Sequence, residues 1–201
     1  MLVTKLFLFL EMGYDTMKMY NHDENRRKIM NAAYVYLQLY RLFDNATPLP
    51  VDCGKLCNKA CCEGDEGGMY LFPGEKKVFE LLNPDWVRIE SSDFTYTIDG
   101  QKKKLPIAFC NGACDRFQRP LACRIFPLTP YLDEEEHLRI IIDPRAKPVC
   151  PLSNGLSISD FDVRFIKSVR KSFLILCKNK EFYAFLKAYS AYLDDFLKFY
   201  K

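Results

Sequence analysis

The apolar positions change period along the chain. Between residues 24 and 44, Ile29, Ala33, Leu37 and Tyr40 fall at helical spacing and predict an amphipathic helix. The prolines of Asn45-Ala46-Thr47-Pro48-Leu49-Pro50 stop it, because proline has no amide hydrogen to continue the ladder. Glu75 to Leu82 predicts a short helix ended by Asn83-Pro84. Trp86–Glu90, Phe94–Ile98 and Leu105–Phe109 read as short strands. Asp99-Gly100 is a hairpin signal, and the basic residues after it suggest a loose turn. Leu128–Leu132 and Leu138–Ile142 predict a second strand pair, joined across Asp133–Glu136. Helical period returns at the end: Ser159 is the expected N-cap, and Phe161, Phe165, Val169 and Phe173 recur every four residues. Asn179 breaks that pattern. Phe182, Phe185, Leu186, Tyr189, Leu193, Phe196 and Tyr200 then form a second stripe. The expected class is α+β. Helices at both ends, including a hairpin over 159–201, surround a loop-rich middle with short antiparallel strands.

With 201 residues the chain is expected to form a single domain over 1–201. The net charge of +3 excludes nucleic acid as the obvious partner, since Lys and Arg are dispersed among acids. The longest basic run, Lys102-Lys103-Lys104, reads as a solvated loop. Met1–Leu10 is apolar but Glu11 ends it without a small-residue cleavage pattern, so no signal peptide is expected. No window holds the about 18 apolar residues of a membrane helix, so no membrane is expected either, and the chain reads as cytoplasmic.

Cytoplasmic thiols stay reduced, which changes the meaning of the nine cysteines. Cys53, Cys57, Cys61 and Cys62 fall within ten residues. Cys110, Cys114 and Cys123 form a second group. Cys150 sits between Val149 and Pro151, and Cys177 lies alone in an apolar helix as a buried structural thiol. The other eight, spread over 53–150, form the expected metal-binding core. Soft thiolates bind iron or zinc, and a closed site takes about four of them. Ligands close in sequence cost little loop-closure entropy. A spacing of four places sulfurs on one face of a helical turn, whereas neighbours such as Cys61 and Cys62 point apart, so that they serve two metals or one of them turns away from the metal. Eight thiolates make two four-sulfur sites, or one cluster with spares. Arg119 and Arg124 flank the second group and offset thiolate charge. Gaps longer than those of zinc knuckles, with few histidines, tip the balance to an iron-sulfur cluster over zinc.

The pattern Cys53-x3-Cys57-x3-Cys61-Cys62, then Cys110-x3-Cys114, then Arg119-Pro120-x2-Cys123-Arg124-x-Phe126-Pro127, then Cys150, resembles the YkgJ-type cysteine-cluster family of zinc- or iron-chelating proteins. The family's first group is written C-x2-C-x2-CC, and each gap here is one residue wider. The resemblance covers residues 53 to 150 and implies metal binding by the eight cysteines. It also implies, through the flagellin lysine N-methylases in the family, a protein-lysine methylase with a protein substrate. A structural-zinc module that docks a protein partner is the third expectation.

The remaining candidates are weaker. His22 and His137 are the two histidines and read as surface residues, which leaves little material for acid-base catalysis. Glu63, Asp65 and Glu66 read as solvated loop, with Gly64, Gly67, Gly68 and Gly74 among them or close by. The glycines at 64, 67 and 68 do not sit between a strand and a helix, as a phosphate-cradling turn requires. Asp115 and Arg116 are possible partners of the ligands. The aromatic stripe over 182–200 reads as core, with any surplus surface open to a partner or a second copy.

Overall fold

The computed structural model describes residues 24–51, 53–62, 68–112 and 114–199. Met1–Leu10, His22, Glu63, Gly64, Asp65, Glu66, Gly67 and Tyr200 lie outside them. The fold is α+β. Its elements are α1 (Glu24–Arg41), β1 (Gly68–Tyr70), α2 (Lys76–Leu82), β2 (Val87–Ile98), β3 (Gln101–Cys110), α3 (Leu121–Ile125), β4 (Leu128–Leu132), β5 (Leu138–Ile142), α4 (Leu152–Gly155), α5 (Val163–Leu176) and α6 (Lys180–Lys198). One antiparallel sheet has the order β1-β3-β2, and β4 and β5 form a two-stranded ribbon.

The β4–β5 pair falls over the residues the sequence predicts, with Leu128 opposite Ile142 and Leu132 opposite Leu138. The β2–β3 hairpin departs from expectation. Its two expected N-terminal strands are one continuous strand, bent by an irregularity between Ser91 and Thr95. The Ser92 hydroxyl donates to the Leu105 carbonyl at 2.6 Å across this irregularity. The turn is tight rather than loose: Ile98 pairs with Gln101, and Asp99 and Gly100 both take positive φ, 50° and 75°. The lysines after it therefore belong to a strand and not to a loop. Lys103 reaches Glu181 at the start of α6 at 2.7 Å, and Tyr96 donates to the same carboxylate at 2.9 Å.

The core is aromatic. From α5 come Phe165, Val169 and Phe173, and from α6 Phe182, Phe185, Leu186, Tyr189 and Leu193, all buried. The buried face of α1, which packs on α2 and α3, is set by Ala33, Tyr36, Leu39 and Tyr40, and Phe43 just past its end meets Phe165; Leu37 is only half-buried. The stripe is therefore rotated from the four-residue repeat read in the sequence. The cap of α5 is also different. Ser157, Ser159 and Asp160 close a separate 3-10 turn, with Asp160 accepting from the Ser157 amide at 2.8 Å. Phe161 then turns inward, and Asp162 caps the helix by accepting from the Arg164 and Phe165 amides. A carboxylate there also meets the positive end of the helix dipole, which a serine hydroxyl does not exploit. Asn179 caps α6 in the same way, accepting from Phe182 at 3.0 Å.

Candidate metal centre

None of the nine cysteines is in a disulfide. Cys53 and Cys57 lie in or just after a 3-10 turn, Cys53–Lys55, and Cys61 and Cys62 in a second, Ala60–Cys62. Between the turns Asn58 and Lys59 adopt positive φ, 51° and 59°, so no continuous helix carries the first group. The expectation of one helical face thus fails here. It fails for Cys110 and Cys114 too: Cys110 ends β3, and Gly112 at φ 84° turns the chain away immediately after it. That turn aims the Gly112 amide at the Cys110 sulfur, 3.3 Å away. A Cβ on Gly112 would stand 3.8 Å from the Cys62 carbonyl, so this loop runs close beside the double cysteine.

Cys61 and Cys62 do not point apart. Their sulfurs are 3.9 Å from each other. The donor chemistry of these thiols fits a thiolate-bound metal. The hydrogen bond between the two sulfurs pushes the Cys61 thiol up and pulls Cys62 down to about 6, helped by Arg119 and Lys59.

The eight cysteines border two neighbouring cavities. Cys53, Cys57, Cys61 and Cys150 line the smaller, about 30 Å³. Cys61, Cys62, Cys110, Cys114 and Cys123 line the larger, about 380 Å³. Cys150 reaches the first group from the opposite side, where the 3-10 turn Pro144–Ala146 and then α4 hold it: its amide donates to the Ala146 carbonyl at 2.7 Å. Burial pushes its thiol up, as it does those of Cys110 and Cys123. Cys177 lies apart, at the C-terminal end of α5, where burial raises it to about 11.

The two arginines of the second group have different tasks. Arg119 donates from Nε to the Cys114 sulfur at 3.3 Å. Burial works against its charge, yet the neighbouring sulfurs of Cys114, Cys123 and Cys62 hold its pKa above normal. Arg124 does not offset thiolate charge. It stacks over the Tyr40 ring at 4.3 Å and donates to the carbonyls of Arg119, Arg116 and Tyr40, tying the ligand loop to α1. Arg124→Lys keeps the charge but loses the fork. It is expected to cost about 2 kcal/mol in a denaturant titration, the scale of hydrogen bonds from a charged donor. A lysine variant as stable as the wild type would restore the charge reading. Asp115 is also structural, accepting from the Phe117 amide at 2.9 Å to cap the turn Arg116–Gln118.

Two features escaped the sequence. Glu75 is fully buried and accepts from Tyr40, from the Phe72 amide and from the Leu121 amide, at 2.6, 2.9 and 2.6 Å. It thereby fixes α3, which carries Cys123, against α1 and α2. Nothing in its flanking pattern marks it, except that it is an acid opening an apolar helix. At the far end of the larger cavity, Arg145 is held by the Asp143 carboxylate and bonded to the Tyr189 hydroxyl. Among the described residues, the three-residue group with metal-binding atoms all within 4.8 Å of one another is Asp133, Glu135 and His137, at the β4–β5 turn. It contains no cysteine. Asp133 is already bound to Arg139 at 2.7 Å and the His137 side chain is exposed, so a solvated turn accounts for it.

Among the described residues no helix is long and apolar enough to cross a membrane. Comparison with family models, curated proteins and solved structures finds no match to this chain.

Proposed function

We propose that this chain is a metal-thiolate protein of the YkgJ type, whose cysteines at 53, 57, 61, 62, 110, 114, 123 and 150 hold iron or zinc. The observation that carries this reading is the convergence of eight cysteines, from separate turns, a strand end and a short helix, on two adjacent cavities. Buried structural thiols are ordinarily dispersed through a core. Here a guanidinium and a backbone amide are aimed at sulfur, an arrangement that stabilises thiolates and metal clusters. Such thiols persist in a reducing compartment, and we place the chain in the cytoplasm on that chemistry. Iron-sulfur ligation is preferred to zinc because the larger cavity has room beyond a single ion.

The same cavity favours a centre that acts on a bound molecule over a purely structural one. Its walls include Met69, Tyr70, Phe72 and Ile107, which suit an apolar side chain or stem. A protein lysine, the substrate of the methylase reading, has such a stem.

The test is anaerobic purification followed by a visible spectrum, iron, sulfide and zinc content on one sample. A brown protein absorbing near about 400 nm, with matched iron and sulfide, is the expected result. Colourless protein with tightly held zinc that unfolds on chelation would select the structural-zinc module instead. Folded protein that takes up neither metal overturns the proposal.

A further inference from the structure

Resting on that metal-thiolate reading, we infer that the eight cysteines form two separate centres with the double cysteine at their junction: Cys53, Cys57, Cys61 and Cys150 hold a single ion, and Cys62, Cys110, Cys114 and Cys123 hold a second, larger centre.

The partition follows from which sulfurs share which space. The small cavity touches Cys53, Cys57, Cys61 and Cys150 and none of the other four. Its volume is about 30 Å³. Leu56, Phe126 and Leu152 also line it. Four thiolates are the set that a mononuclear tetrahedral metal takes. The larger cavity touches Cys62, Cys110, Cys114 and Cys123, and is more than ten times the size.

Among the cysteines, Cys61 lines both cavities, whereas its neighbour Cys62 lines only the larger one. Adjacent residues thus send one sulfur to each centre, 3.9 Å apart. Only a double cysteine in a tight turn supplies such a junction.

The charge environment differs as well. Arg119 sits against the larger group, with its Nε on Cys114, and has no contact with the smaller cavity. A four-thiolate zinc site carries two net negative charges, which the smaller group must hold without that guanidinium. The larger group is the one equipped to change its charge.

The experiment is zinc uptake by the full-length metal-free chain under anaerobic conditions, counted by native mass spectrometry. The wild type, Cys150→Ser and Cys123→Ser are compared. The wild type is expected to bind two Zn²⁺. Each variant is expected to keep one and to bind the other at least 100-fold more weakly in chelator competition. After loading with iron and sulfide instead, Cys150→Ser is expected to retain the wild-type visible spectrum and Cys123→Ser to lose it. A wild type that binds a single ion overturns the partition. So does either substitution if it empties both sites while the far-ultraviolet circular dichroism is unchanged. Where one of these variants fails to fold, Cys57→Ser or Cys114→Ser reports on the same group, and the wild-type count decides by itself. A wild type that binds no metal overturns the underlying metal reading, a result distinct from a count of one.

Discussion

Phe185→Ala is expected to destabilise the protein by about 3–5 kcal/mol, the range for truncating a fully buried aromatic. Phe185 has no solvent exposure. Its ring stacks on Tyr189 with centroids 5.2 Å apart and meets Phe72, Phe94, Tyr96 and Phe182 at 5.8, 6.0, 5.7 and 5.6 Å. These neighbours come from the segment after β1, from β2 and from α6 itself, so the ring is where the sheet and the terminal helical hairpin meet. Alanine leaves a cavity that so many rigid rings cannot collapse to fill. Since a domain of this size is stable by about 5–15 kcal/mol, the loss is a large fraction of the whole. The control is Phe199→Ala, whose side chain is 84% exposed and whose effect is expected within about 0.5 kcal/mol. In guanidinium titrations the midpoint should fall for Phe185→Ala with its slope unchanged. A loss below about 1 kcal/mol would show that this cluster is not the organising core. The consequence reaches the cysteines, because the neighbouring Tyr189 forms part of the wall of the larger cavity and bonds Arg145.

Elements governed by a single strong period were legible in the sequence. The stripes of α5 and α6 each pit many side chains against one alternative, and the pattern prevails. What was not legible depends on local geometry without periodicity. β1 is three residues at the edge of a glycine-rich stretch, and it exists because β3 offers an open edge: Met69 pairs with Ala108. The Asp162 cap displaced Ser159 because Phe161 had to be buried first, a tertiary demand invisible to a scan for caps. The cysteines were legible as a chemistry but not as a geometry. Spacing of four suggested helical turns, whereas the positive φ values at Asn58, Lys59 and Gly112 fold the first and second groups back on themselves. Arg124 was read as charge because arginine beside cysteine invites it. Its Tyr40 partner lies 84 residues away, beyond any local motif.

Glu75→Ala is expected to be the most disruptive single change outside the aromatic core, at about 4 kcal/mol or more. Three donors lose their acceptor at once, and each buried polar group left unmatched costs about 1–3 kcal/mol. Two of them, Tyr40 and the Leu121 amide, belong to α1 and α3, so the segment bearing Cys123 loses its anchor. Glu75→Gln is the gentler probe, since it keeps the shape and charges nothing, leaving one amide facing another donor. Burial raises the Glu75 carboxyl to about 7, although the three hydrogen bonds and Arg124 pull the other way. The sign of the pH effect follows from that shift. Below pH about 4.5 the group is protonated in both folded and unfolded chains, and its contribution is fully present. Between about 4.5 and 7 the unfolded chain releases the proton while the folded one keeps it, so stability falls as pH rises. A shift of this size corresponds to about 3 kcal/mol over that window, with no further loss above it. Other carboxylates act oppositely: Asp162 and Asp160 are held low by hydrogen bonds from Arg164 and Ser157, and they lose their contribution at acid pH. The difference between wild type and Glu75→Gln isolates the buried group from them. That difference, measured by denaturant titration from pH 4 to pH 8, should shrink by about 3 kcal/mol as the wild type pays for ionising Glu75. A difference that is flat with pH would mean that Glu75 is ionised throughout, held as an anion by its three donors.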